Sequence, residues 1–169
     1  KFKAISALSV FYDMKNPNIF LDDVCKLLDP NGILLLEQAD LASIIKLKMF
    51  DTICHEHLEY YSHDVIFQLA KKNNLKIFDM MSNDINGGST QYYLCKKSSK
   101  FKVNHKVIDA FLSKEKKLKL KKVETYKNFF KNIEVVSKNL RNLLMKLKDQ
   151  KKIIHGYGAS TKGNVLLQY

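Results

Sequence analysis

The sequence predicts an α/β fold that contains a parallel pair of strands. A strand, a helix, a turn and a second strand follow one another over residues 3–36, and two further strand patterns flank an Asn-Gly-Gly turn at 86–88. Of the 169 residues, 46% are hydrophobic and only two are proline. That composition is typical of a folded domain and excludes collagen-like, low-complexity and broadly disordered chains.

The first predicted elements form a βαβ unit. Residues 3–10 have the pattern of a short buried strand, and residues 18–28 place apolar side chains along one face of a helix. Pro17 suits the first position of that helix. The Asp-Pro-Asn-Gly segment at 29–32 predicts a turn, and the wholly apolar residues 33–36 predict a strand buried on both faces of a sheet.

The middle of the chain predicts an irregular segment, a helix and a pair of strands. Residues 39–62 are dense in polar and aromatic side chains without a clear period, so we expect irregular structure there. Residues 64–73 predict a helix, and residues 75–80 and 89–95 predict strands on either side of the glycine turn. We expect these two strands to pair in antiparallel fashion at one edge of the sheet.

A lysine-rich helical region and a glycine loop complete the chain. Residues 104–148 repeat apolar side chains at steps of three and four, which predicts one or two helices whose apolar stripe lies against a neighbouring domain. Residues 152–157 predict a strand that runs into the sequence GYGASTKGN at 156–164. A glycine loop after a strand indicates the opening of a second α/β unit. We therefore expect a fragment that begins inside one domain and ends inside another.

The charge of the chain is concentrated in one segment. Residues 96–152 hold 19 basic and 5 acidic residues, and Arg141 is the one arginine of the whole sequence. Because arginine is the residue that reads phosphates and bases bidentately, we interpret the lysines as a solvated helix face and expect no nucleic-acid partner. No apolar run approaches the length of a membrane span, so we expect no membrane partner. Three cysteines without CxxC spacing indicate a reduced, cytoplasmic protein.

The triplet His55-Glu56-His57 is the strongest candidate for chemistry, and three interpretations of it stay open. It is a metal site if Cys54 and His63 complete a zinc shell, although the spacing differs from that of HExxH. It is structural if the histidines are merely hydrogen-bonded in a loop. It is an acid–base centre if a carboxylate holds one imidazole in a single tautomer near neutral pH.

Further candidates follow the predicted strands. Ligand sites of open parallel sheets lie beyond the carboxyl ends of the strands, where Glu37, Gln38 and residues 9–13 fall. The 86–88 turn is either a simple turn or a place where backbone N–H groups approach a substrate. The GYGASTKGN loop has glycines and Lys162 in the manner of a phosphate-cradling loop, but it does not fit GxxxxGK[ST].

Three motifs together resemble a known family. FDTICHEHLEYYS, NDINGGSTQYY and GYGASTKGN, in this order, are similar to the sugar C-methyltransferases, which use S-adenosylmethionine to methylate nucleotide-linked 4-keto-deoxysugars. The resemblance implies that residues 1–98 are the C-terminal half of a Rossmann-like class I methyltransferase domain. Residues 99–150 are then a lysine-rich helical connector, and residues 151–169 start a C-terminal α/β domain. The zinc-binding region and the glycine loop that grips the cofactor lie upstream in that family, so we expect this fragment to be incomplete and inactive alone.

The resemblance also implies roles for individual residues. His57 is the base that removes a proton beside the ketone, Glu56 orients its imidazole, and His55 is its neighbour in the catalytic triplet. No metal ligand is implied. The alternatives are a methyltransferase of the same fold with an oxygen or nitrogen acceptor, and a basic binding module without enzymatic activity. The remaining residues divide between the S-adenosylmethionine site, with Ser9 and Val10, and the site of the nucleotide-linked sugar, with Glu37, Gln38, Asn86, Gly87 and Gly88.

Overall fold

The computed structural model describes residues 1–158 and 161–169 and contains a four-stranded mixed sheet. The strands lie side by side in the order β1-β2-β4-β3. β1 runs parallel to β2, and β4 runs antiparallel to both β2 and β3. The carboxyl ends of β1, β2 and β3 therefore meet at one edge of the sheet. The strand bounds are β1 Phe2–Leu8, β2 Leu28–Gln38, β3 Leu75–Asn83 and β4 Ser89–Lys96.

The described part of the chain contains six helices, and side chains before their first turns fix where four of them begin. Asn16, Asp40, Ser62 and Asn104 each accept a hydrogen bond from a backbone N–H three residues further on. Such N-caps satisfy N–H groups that the helix itself leaves without a partner. The helices are α1 Pro17–Leu27, α2 Leu41–Leu47, α3 His63–Lys72, α4 His105–Lys117, α5 Val123–Asp149 and α6 Thr161–Gln168.

The main core lies between one face of the sheet and three helices. Alternate residues of the central strands, including Leu34, Leu36 and Leu94, are fully buried there. α1, α3 and α4 cover them, with Val24, Ile66 and Ile108 as the central contacts of these helices. The predicted βαβ unit and antiparallel pair are thus confirmed, although β3 forms the outer edge and β4 lies inside.

Two local predictions in the first half were wrong. The segment 29–32 was expected to be a turn before the second strand, but β2 already begins at Leu28, which pairs with Phe2. Residues 29–32 bulge out of the ladder between the pairs Phe2–Leu28 and Ala4–Ile33, and within this bulge the Asp29 carboxylate accepts the Asn31 N–H over 3.0 Å. Gly32 permits the close approach of the two strands, because an added Cβ would lie 2.6 Å from the Phe2 carbonyl oxygen. The segment 39–62 was expected to be irregular throughout, but its Asp40 cap starts α2.

The lysine-rich region forms two helices, and only part of its apolar stripe is covered. In α5, Phe129 and Ile133 are buried in a second cluster with Ile44 of α2, whereas Leu140 and Leu143 are exposed. The predicted strand at 152–157 was wrong: in the described stretch up to residue 158, these residues are exposed and pair with no strand. Residues 159–160 of the glycine loop lie outside the described residues. A helix suited to span a lipid bilayer is absent from the described residues.

Tyr61 provides a pH-dependent test of the main core. Its side chain is 5% exposed, its ring packs on Phe11, and its hydroxyl has no hydrogen-bond partner among the described residues. Burial, and to a lesser degree the Glu59 carboxylate, raises the pKa of Tyr61 to about 12. The folded protein therefore holds this proton more tightly than the unfolded chain, whose tyrosine titrates near pH 10. The resulting stabilisation is complete below pH 10 and is lost between pH 10 and 12.

We expect Tyr61→Phe to remove this pH dependence, because phenylalanine has no proton to lose. The difference in free energy of unfolding between the unmodified protein and Tyr61→Phe should change by up to about 3 kcal/mol between pH 9 and 12. At pH 7 the variant should be as stable or more stable by about 1 kcal/mol, since an unpaired buried hydroxyl disappears. Urea denaturation at each pH measures both quantities. The prediction would be contradicted if the free energies of unfolding of the two proteins changed with pH in the same way.

Candidate active site

The predicted site residues Ser9 and Asn86 meet at the carboxyl edge of the sheet. The backbone N–H of Ser9 donates to the carbonyl oxygen of Glu37 over 2.8 Å, which ties the end of β1 to the end of β2. The side-chain amide of Asn86, between β3 and β4, donates to the Ser9 hydroxyl oxygen over 3.2 Å. Segments 77 residues apart in sequence therefore share one polar cluster.

The backbone of this cluster adopts conformations that most residues avoid. Ser9 and Asn86 have φ angles of 53° and 56°, in the left-handed region. Gly88 has a φ of 141°, and an added Cβ would lie 2.9 Å from a methyl group of Leu47 in α2. Left-handed residues other than glycine cost of order 1 kcal/mol or more and occur often at functional sites. The 86–88 loop is thus a shaped segment packed on α2 rather than an open turn.

His57 lies against the segment that follows β1. The backbone N–H groups of Leu58 and Glu59 both donate to the carbonyl oxygen of Tyr12, each over 3.1 Å. The rings of His57 and Tyr12 have centroids 4.3 Å apart and an angle of 49° between their planes. The hydroxyl oxygen of Thr52 lies 3.5 Å from Nδ1 of His57. The half-buried imidazole is therefore bordered by a phenol ring and a hydroxyl group.

Glu56 and His55 point toward the C-terminal helix of the described chain. The Thr161 hydroxyl, at the start of α6, donates to Oε2 of Glu56 over 2.8 Å. Lys162 donates from Nζ to the carbonyl oxygen of Asn86 at 3.5 Å. His55 lines a pocket of about 440 Å³ together with residues of α6. In this structure the Glu56 carboxylate, which the resemblance placed on the His57 imidazole, bonds to α6 instead.

Glu37 and Gln38 are both buried, but their side chains have different surroundings. Glu37 accepts hydrogen bonds from Asn83 at 2.8 Å and from Gln91 at 2.6 Å, so its carboxylate joins β2 to β3 and β4. Both side-chain amide atoms of Gln38 lack a hydrogen-bond partner among the described residues. A fully buried amide without partners is costly. Val10, the residue after Ser9, keeps 37% of its surface exposed.

Tyr12 is a site residue that sequence reasoning did not single out. Burial raises the pKa of the Tyr12 phenol, and a side-chain hydrogen bond with Ser9 lowers it in part. The Tyr12 ring thus contacts the base candidate and belongs to the short helix that follows Ser9. The available signal in the sequence was its place in the 9–13 stretch, directly after a predicted strand.

His63, considered as a zinc ligand with Cys54, lies in a separate buried network. Its Nδ1 is 2.7 Å from the Tyr92 hydroxyl oxygen, and its Nε2 is 3.8 Å from Oδ1 of Asp40. Burial raises the pKa of Tyr92 well above its ordinary value, and the Asp40 and Glu115 charges add to this. Across residues 1–158 and 161–169, no group of three or more His, Cys, Asp or Glu side chains is arranged to hold a metal ion.

Comparison with known proteins identifies the family to which this chain belongs. The curated protein C-methyltransferase NovU from Streptomyces niveus is 31% identical over 147 residues, which are 87% of this chain and 35% of that protein. The chain thus spans about a third of the length of this relative. A family model described as the C-methyltransferase C-terminal domain matches residues 84–169. Since that match takes in β4, the helices after it and more than half of the chain, the chain belongs to the C-methyltransferase family.

Proposed function

We propose that the natural protein containing these residues is an S-adenosylmethionine-dependent methyltransferase that methylates a carbon atom of a nucleotide-linked keto-deoxysugar. Membership of the C-methyltransferase family supports the methyl transfer. The single structural observation that supports a carbon acceptor is the His57 imidazole, bordered by Tyr12 and Thr52 at the carboxyl edge of the sheet. A carbon acceptor needs a base, because a C–H proton must leave before the carbon becomes a nucleophile.

The sheet supports the proposal that residues 1–98 are the C-terminal half of a Rossmann-like domain. β1, β2 and β3 share one direction, and only β4 runs against them. β1 lies at an edge of the described sheet, with one side facing no other strand of the described residues. We propose that further parallel strands of the natural protein extend the sheet from β1, and that the zinc-binding and cofactor-binding regions belong to that additional part.

The proposed reaction begins with removal of a proton by His57. A proton on the carbon beside a ketone is acidic because the carbanion that remains is delocalised as an enolate. A well-placed general base contributes about 10²–10⁴-fold to such a step. The Asn86 amide and the buried Gln38 amide are the polar groups proposed to orient the sugar. The Glu56 carboxylate, 2.8 Å from the Thr161 hydroxyl oxygen, holds the segment that contains His57 against α6.

Ser9 and Val10 fit the role proposed for them beside the cofactor. The methionine end of S-adenosylmethionine is a short aliphatic chain with charged groups. The exposed Val10 side chain offers an apolar surface, and the Ser9 hydroxyl offers a polar group next to it. When bound, the cofactor supplies an electrophilic methyl group, and the protein's part is to align it with the enolate carbon.

Deuterium exchange tests the proposal. The natural protein is incubated in D₂O with a nucleotide-linked 4-keto-6-deoxysugar and without cofactor, and mass spectrometry follows the uptake of deuterium beside the ketone. We expect uptake that depends on the protein, and methylation at the same carbon once S-adenosylmethionine is added. Methylation of an oxygen or nitrogen atom without any exchange would overturn the carbon acceptor while retaining the methyltransferase.

The cofactor requirement gives a separate prediction. We expect the isolated 169-residue chain to bind S-adenosylmethionine at least about tenfold more weakly than the natural protein, a difference of about 1.4 kcal/mol. The reason is that Ser9 and Val10 are only the part of the proposed cofactor site that this chain supplies. Isothermal titration calorimetry of both proteins measures the difference. Equal affinities would show that this chain holds the whole cofactor site.

A further inference from the structure

We infer that Tyr12 is a positioning residue for the His57 imidazole, an inference that rests on the proposed function. Tyr12 contacts residues 57–59 in two ways. Its carbonyl oxygen accepts the N–H groups of Leu58 and Glu59, and its ring lies 4.3 Å from the imidazole ring, centroid to centroid. The backbone bonds fix the chain directly after His57, and the ring contact restricts the imidazole itself.

The backbone before Tyr12 is held in place by contacts of Ser9. Tyr12 lies in the short 3₁₀ helix Phe11–Asp13, which begins two residues after Ser9. Ser9 is held by its own N–H, which donates to the Glu37 carbonyl oxygen over 2.8 Å, and by its hydroxyl oxygen, which accepts the Asn86 amide over 3.2 Å. The short helix that carries the Tyr12 ring therefore follows closely on a residue that is fixed to the end of β2 and to the 86–88 loop.

His57 needs such a neighbour because its other contacts are weak. Within the described residues, the hydrogen-bond contact of the imidazole is to Thr52 at 3.5 Å, a long distance at which hydrogen bonds have little strength. The Glu56 carboxylate is hydrogen-bonded to Thr161. A base that must meet a C–H bond at a defined angle loses rate when its ring is free to rotate. The Tyr12 ring limits that rotation, and its π face also favours the imidazolium that forms after proton transfer.

Two substitutions separate the ring contact from the hydroxyl. Tyr12→Phe keeps the aromatic ring and loses only the phenol hydroxyl, whereas Tyr12→Leu loses the ring and keeps the backbone carbonyl. In the natural protein, we expect Tyr12→Leu to lower kcat for deuterium exchange about 10- to 100-fold with KM changed less than about threefold. We expect Tyr12→Phe to restore kcat to within about fivefold of the unmodified value. Tyr126→Leu, in α5, is the control for loss of a half-buried tyrosine and should leave kcat unchanged.

An NMR measurement reports the contact independently of activity. The Cε1–Hε1 signal of His57, identified by its loss in His57→Ala, should move in Tyr12→Leu, where the ring current disappears, and stay nearly unchanged in Tyr12→Phe. A changed signal with unchanged kcat in Tyr12→Leu would overturn the positioning role and leave the proposed function intact. An unchanged signal in Tyr12→Leu would overturn the contact itself. Absence of exchange in the unmodified protein would overturn the carbon-acid mechanism and, with it, the role inferred for Tyr12.

Discussion

Replacement of His57 by alanine is expected to lower the rate of deuterium exchange in the natural protein by about 10²–10⁴-fold, the usual contribution of a general base. The side chain is half-buried and is not part of either hydrophobic core cluster, so the fold should tolerate its loss. KM for the nucleotide-linked sugar should change little, because the imidazole acts on the reacting proton and does not hold the rest of the substrate. Mass spectrometry of the substrate after incubation in D₂O measures the effect.

A matched histidine makes this experiment specific. His105 is exposed at the first position of α4, and His105→Ala should exchange deuterium at the unmodified rate. Circular dichroism of both variants shows whether the fold is retained. If His57→Ala exchanged deuterium at the same rate as His105→Ala, a different residue would be the base, and Glu56 of the same triplet would be the next to test.

Local patterns predicted the position of β2 better than its burial. Residues 33–36 are apolar without interruption and form the centre of β2, but Leu34 and Leu36 are fully buried on one face, whereas Ile33 and Leu35 on the other face are partly exposed, so the expected burial on both faces was wrong. The glycine turn at 86–88 does separate two paired antiparallel strands. α2 was missed because its seven residues are too few to establish a period amid the surrounding polar side chains. The strand expected at 152–157 failed for a different reason, since a strand needs a partner to bond with and none of the described strands reaches it.

The structure places predicted site residues together but shows side-chain directions that the sequence did not indicate. Ser9 and Glu37, which the rule on the carboxyl ends of parallel strands had selected, are joined by a backbone hydrogen bond. The family resemblance implied that Glu56 orients His57, yet the two residues lie in a turn in which the His57 N–H donates to the Cys54 carbonyl oxygen, and Glu56 bonds to Thr161, 105 residues away. The ring contact of Tyr12 with His57 joins segments 45 residues apart, and no local pattern encodes such a distance.

The buried Glu115 side chain of α4 binds the start of α3. Its two carboxylate oxygens accept the backbone N–H groups of His63 at 2.6 Å and Asp64 at 3.1 Å, at the start of α3. These N–H groups belong to the first turn, which has no partners within the helix, and a carboxylate also interacts favourably with the positive end of the helix dipole. Since α3 directly follows the segment that contains His57, Glu115 connects α4 to the end of that segment.

Glu115→Ala is therefore expected to lower the free energy of unfolding by about 3 kcal/mol, because a charge-assisted pair of hydrogen bonds is lost and the N–H of buried His63 keeps no acceptor. Glu115→Gln retains one oxygen atom as an acceptor and should cost about half as much. Asp109→Ala, on the exposed face of the same helix, should change stability by no more than about 0.5 kcal/mol. Chemical denaturation of the three variants measures these differences. Equal stabilities for Glu115→Ala and Asp109→Ala would mean that water replaces the carboxylate at the start of α3, and that the two helices are joined by their apolar contacts alone.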